Sequence, residues 1–214
     1  EAKFRMVLQP IAKVALEAKD QNRVAFDAFF THILMHELMH GLGPHEIVKD
    51  GKKTTPREQL TDSYSAIEEA KADVTGLWAL QYLVDKGVLD KSFEKTMYQT
   101  YLASTFRAIR FGLAEAHGRG IAIQLNTYLD KGAYVVGKDG RFSVDETKIK
   151  GAVADLAHEL LMIEADGDAA AAKKMLDTRA VVRPQVQAVL EKLKGVPVDI
   201  DPRFVTAEEL ERMP

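Results

Sequence analysis

Apolar residues along this chain recur mostly at three- and four-residue steps, the spacing that lines one side of an α-helix. Between Arg23 and Leu42 the rhythm is carried by Phe26, Phe29, Phe30, Ile33, Leu34, Leu38 and Leu42, and Gly41, Gly43 and Pro44 stop it. The polar run from Val48 to Lys53 reads as a surface turn or loop. A second long helical pattern starts near Pro56 and runs through Ile67, Ala70, Val74, Leu77, Leu80 and Leu83 to Gly87. A third spans about Phe93 to Ala116, and a fourth Ile121 to Lys131. Then the period drops to two. Ala133-Tyr-Val-Val, Gly137-Lys-Asp-Gly140 and Arg141-Phe-Ser-Val predict a β-hairpin. Helical patterns return over Thr147–Glu164, Asp168–Asp177 and Pro184–Lys194, and the Pro-containing tail, Val196–Pro214, reads as extended packing followed by a short helix. The predicted fold class is mainly α: a helical lobe with one small β-hairpin.

A chain of 214 residues, 46% hydrophobic and 29% charged, can bury a core without covalent staples, and is read as one domain over 1–214. It contains no cysteine, so disulfides and thiolate metal sites are excluded, and any transition metal must be held by imidazole and carboxylate. Lys and Arg are interspersed with Asp and Glu at a net charge of -3, which gives no footprint for nucleic acid. No apolar run approaches the ~20 residues of a membrane span. The opening Glu1-Ala-Lys-Phe-Arg is neither an initiator methionine nor a signal peptide and reads as an interior cut from a longer chain. Cytoplasm and periplasm both stay open as compartments.

The chemistry concentrates in His36-Glu37-Leu38-Met39-His40, an HExxH pattern inside the first helical segment. Four residues advance a helix by slightly more than one turn, so both imidazoles project from one face and can meet a single ion. Glu37 flanks them without having to bind the ion, the position of a base acting on activated water. The surrounding helix is greasy, and polar groups placed there cost desolvation unless something pairs with them.

A catalytic zinc site of this kind needs a third protein ligand from a facing element. The next helix supplies Glu68, Glu69 and Asp73 within Tyr64–Asp73. Glu69 and Asp73 are four apart and share a face, so Glu69 can be the ligand while Asp73 accepts the spare ring proton of His36 or His40. Against a purely solvated acidic face stand Ile67, Ala70, Val74 and Leu77, which make this helix largely buried. The metal-site core is thus placed at about 23–131, holding one Zn2+ ion.

HExxH followed by Glu68-Glu69-Ala-Lys-Ala-Asp73, with Glu115-Ala116-His117-Gly118-Arg119 further on, resembles the dipeptidyl peptidase III family of zinc exopeptidases. The resemblance covers roughly Phe26 to Lys131. It implies His36, His40 and Glu69 on zinc, Glu37 as general base, Glu68 and Asp73 as carboxylates behind the ligands, and His117 as a substrate contact that stabilises the tetrahedral intermediate. It also implies a peptide substrate and a second lobe facing this one across a cleft. Two features depart from the family pattern. Its usual motif is HExxGH, one residue longer, and its downstream motif commonly reads Glu-Glu-Cys-Arg-Ala-Asp or -Glu.

Of the other histidines, His32 is four before His36, and its Cα lies about 12 Å along the axis from that of His40, too far for one ion to reach all three. It reads as packing or support behind the ligands. His45 reads as a loop residue, His158 as packing, and His117 on its own as either a helix-end cap or a functional group. Arg119 is a candidate contact for a substrate carboxylate or carbonyl. Three functions compete: an exopeptidase on short peptides; a zinc hydrolase of another substrate class, since some relatives are fused to Nudix domains; and a non-catalytic module stabilised by its metal.

Overall fold

The computed structural model describes residues 1–201, 203, 205 and 206. It is mainly α, as the periodicity predicts. A π-helical turn, Phe4–Leu8, leads into α1 (Gln9–Ala15), followed by α2 (Ala18–Gln21) and α3 (Phe26–Met39). Strands β1 (Ile47–Lys49) and β2 (Lys52–Thr54) precede α4 (Pro56–Leu60), α5 (Tyr64–Asp85), α6 (Lys91–Ala108) and α7 (Ala116–Asp130). The predicted hairpin is β3 (Tyr134–Val136) with β4 (Phe142–Val144), and α8 (Ile149–Ala165), α9 (Ala169–Arg179) and α10 (Pro184–Lys192) follow. The short helix expected in the tail lies largely outside the described residues.

Helix α5 is the spine. It packs against α3, α6, α7 and α8, and Ile67, Ala70, Val74, Leu77 and Leu80 are fully buried along it. Its meeting with α3 is close because Gly76 has no side chain: a Cβ there would lie 3.2 Å from the His36 nitrogen and 3.3 Å from the Met35 carbonyl carbon. The contact brings α3 and α5 together at the motif itself.

Four features differ from the periodicity reading. Val48 to Lys53 is not a plain loop: Ile47–Lys49 and Lys52–Thr54 pair as an antiparallel ribbon, and Asp50 and Gly51 turn between them at φ 51° and 75°. Asp-Gly favours such a two-residue hairpin turn. The second helical pattern breaks at Thr61, whose φ of 48° no right-handed α-helix admits, and a Thr55–Glu58 capping box starts the short α4 separately. The third pattern stops at Ala108 rather than Ala116, because Gly112 at φ 94° turns the chain, and α7 then begins at Ala116 instead of Ile121. Last, the greasy character of α3 does not mark its buried side. Phe30, Ile33, Leu34, Leu38 and Leu42 are exposed, whereas Ala28, Phe29, His32, His36 and Met39 face inward.

Candidate metal centre

His36 sits in the last full turn of α3, and His40 caps that helix, its N–H still bonded to the His36 carbonyl. Their Nε2 atoms are 3.1 Å apart. Across the interface, Glu69 on α5 places Oε2 3.4 Å from His36 Nε2 and 3.8 Å from His40 Nε2. An ion with four tetrahedral bonds of 2.0–2.1 Å would set its donors about 3.3 Å apart. The three expected ligands thus form a triangle of the right size.

The far side of each imidazole is fixed. His36 Nδ1 meets Asp73 Oδ1 at 2.8 Å, and His40 Nδ1 meets Glu68 Oε1 at 2.9 Å. A carboxylate only accepts, so both Nδ1 atoms carry the proton, and the two Nε2 atoms are left facing each other. Two lone pairs at that distance repel unless a proton or a cation lies between them. Of the two possible orienting roles for Asp73, the structure shows the one toward His36; Glu68 serves His40.

Glu69 Oε2 tests whether a cation fits. The atom is buried and accepts no hydrogen bond, although imidazole nitrogens of His36, His40 and His117 surround it at 3.4, 3.8 and 3.0 Å. A buried carboxylate oxygen left without a hydrogen bond is costly. A metal ion among these nitrogens would satisfy it, so the donor set fits a zinc-type cation of nitrogen and oxygen preference. Donor atoms of His36, Glu69 and His117 also lie within 4.8 Å of one another.

Electrostatics follow from burial and pairing. Burial disfavours the His36 imidazolium, but the carboxylates of Asp73 and Glu69 outweigh it and push its pKa up to about 10. Burial would raise the Asp73 carboxyl; the hydrogen bond and charge of His36 and a 3.2 Å hydrogen bond from Gln124 Nε2 hold it below the usual range instead. Glu68 is likewise kept low despite burial, by Lys71 and His40. Lys71 is buried: its Nζ pairs with Glu68 Oε1 at 2.8 Å and donates to the carbonyls of Met39 and Leu42. It ties the end of α3 to α5.

The remaining expected residues separate cleanly. Glu37 is exposed and, with His36, Asp73, Tyr101, Arg107 and His117, lines a cavity of about 300 Å³. His117 reaches the centre from the first turn of α7, its ring stacked on that of His36 with centroids 5.9 Å apart. His32 is packing: buried, its pKa lowered by that burial, its Nε2 donating to the Asp73 carbonyl and its ring against Tyr101. His45 is an exposed loop residue bonded to the Gly41 carbonyl, and His158 is exposed on α8. Arg119 is half-buried on α7 and is not among the residues lining the cavity. Sequence reasoning missed Gln124, Lys71 and Arg107. Only Lys71 had a signal, a charge within an otherwise apolar helical stretch.

No family model matches the chain. It is 48% identical over 213 residues to Nudix hydrolase 3 of Arabidopsis thaliana, a match covering 98% of this chain and 28% of that protein. Solved structures of dipeptidyl-peptidase III from Corallococcus sp. strain EGB and of DPP III from Caldithrix abyssi superpose with a TM-score of 0.95 each, at 64% and 46% identity. Both matches cover 98% of this chain but only 39% and 40% of those chains. The chain therefore spans well under half the length of each of these relatives, all of them hydrolases by name.

Proposed function

We propose that this chain, a dipeptidyl-peptidase III-like helical segment over 98% of its length, carries the metal centre of a zinc-dependent hydrolase of short peptides, of exopeptidase type. The observation that carries the reading is the buried Glu69 oxygen without a hydrogen bond, ringed by imidazole nitrogens, two of which, on His36 and His40, belong to rings tied on their other side to carboxylates. His36, His40 and Glu69 would hold the ion. Bound there, a zinc ion supplies a Lewis acid that polarises a scissile carbonyl and acidifies water.

Glu37 follows His36 directly and faces the cavity, so its carboxylate is the base that takes the proton from attacking water and returns it to the leaving amine. Asp73 and Glu68 keep the Nδ1 protons of His36 and His40 in place and their Nε2 atoms bare. His117 Nε2 borders the same cavity and can donate to a developing oxyanion. A substrate must fit beside Ile33, Tyr101 and Ile121, a mostly apolar wall with Arg107 at its rim.

The test is Glu37→Gln against His40→Ala. The first should keep stoichiometric metal but lose about 10²–10⁴-fold in peptide turnover, and the second should lose the metal. Parental turnover by Glu37→Gln would end the assigned role. A second reading, hydrolysis of a non-peptide substrate, rests on the name of the Arabidopsis relative. A panel of peptides with free and acetylated amino termini separates the two.

A further inference from the structure

Building on the metal-centre reading above, we propose that His117 is an additional, displaceable ligand of the cation, closing the coordination position that His36, His40 and Glu69 leave open until substrate arrives. Its Nε2 lies 3.0 Å from Glu69 Oε2, the shortest of the three imidazole approaches to that atom. It shares with His36 and Glu69 a donor cluster compact enough for one ion. Donors around a tetrahedral ion stand about 3.3 Å apart, and the separations from Glu69 Oε2 bracket that figure.

What marks His117 as displaceable is its difference from the other two. His36 and His40 each have Nδ1 held by a carboxylate, at 10% and 31% side-chain exposure. The His117 side chain is 58% exposed, and among the described residues no carboxylate holds its Nδ1. It hangs from the first turn of α7, directly after the Gly112 turn. It also stands where two cavities meet: the one beside Glu37, and another of about 430 Å³ lined by Arg107, Ala108, Phe111 and Glu115. A ligand in either cavity lies against His117, whereas of the buried donors only His36 lines one of them. Swung off, the imidazole stays over the cleft, where Nε2 can donate to a substrate oxygen. The resting centre is thereby capped, and opening it is coupled to filling the cleft.

The experiment strips the protein with a chelator and loads Co2+, whose visible absorption reports the number and kind of ligands. Parent, His117→Ala and the surface control His158→Ala are compared. Because His117 is exposed on a helix and alanine is a good helix former, the variant is expected to fold. The proposal expects His117→Ala to change the cobalt spectrum and weaken Co2+ binding by about 10–100-fold, comparable to losing a residue that orients a ligand. The control should match the parent, and a peptide added to the parent should move its spectrum toward that of the variant. Identical spectra and affinities for parent and His117→Ala would overturn this inference while leaving the metal centre standing. A parent that binds no Co2+ would overturn both.

Discussion

Gly76→Ala is the perturbation that most directly probes how the centre is assembled. The added methyl would meet the His36 nitrogen at 3.2 Å, the Met35 carbonyl carbon at 3.3 Å and the His36 Cα at 3.5 Å. These are backbone atoms of a helix and cannot rotate away, so α3 must move off α5 by a few tenths of an ångström. Overpacking of this kind costs about 1–3 kcal/mol. Replacing glycine by alanine within a helix returns about 1 kcal/mol. The net is a loss of roughly 0–2 kcal/mol, which at ~2–4 °C per kcal/mol for a chain of this size lowers Tm by at most about 8 °C. The metal should feel it more, because the displaced backbone is that of His36, whose Nε2 would retreat from Glu69. Gly151→Ala on α8 is the control: its methyl meets nothing within 4 Å, so only the propensity gain should remain. Thermal unfolding of metal-free protein and competition with a chromophoric chelator read the two effects separately. The reasoning is refuted if Gly76→Ala behaves like Gly151→Ala, gaining stability and binding metal as the parent does.

Two more tests address the groups behind the ligands. Asp73→Asn replaces a carboxylate that accepts from both His36 and Gln124 by an amide that must turn a donor to one of them, while Gln124 is anchored through its carbonyl by the Tyr101 hydroxyl. Metal affinity should fall about 10–100-fold, read by chelator competition, and unchanged affinity would leave Asp73 without an orienting role. For Glu164, burial and the neighbouring Glu68 carboxylate raise its pKa from 4.5 to about 8. A raised folded-state pKa gives stability that is complete below the unfolded value and is lost as pH climbs through the folded one. Denaturant unfolding should therefore show the parent weakening between about pH 5 and pH 8. Glu164→Gln should flatten that slope, and an equal slope in both proteins would remove Glu164 as its cause.

That His36, His40 and Glu69 would cluster was readable because it rests on fixed spacings: His36 to His40 and Glu69 to Asp73 are each one helical turn, and turns place residues on a common face whatever surrounds them. The side of α3 that turns inward was not readable. This helix is apolar almost all round, so periodicity gives no preferred face, and the histidines turned out to occupy the inner one. Helix ends at Thr61 and Gly112 were missed because apolar spacing continues across both, while the break is a local φ choice. Asp50-Gly51 did carry a hairpin signal, but its flanking lysines hid it within a polar run. Gln124 was invisible in principle, since a neutral amide in an apolar helix shows no partner until the fold brings Asp73 to it.

His40 ends its helix rather than lying inside it. Beyond it, Gly41 and Leu42 bond three residues back, to Leu38 and Met39, so the coil is already winding tighter and coming apart. In a continuing helix, one inserted residue would swing everything downstream by about 100° and aim the second imidazole away. At a fraying end the same insertion can be taken up as a local loop. A six-residue version of the motif can thereby bring its second imidazole to the same nest of nitrogens.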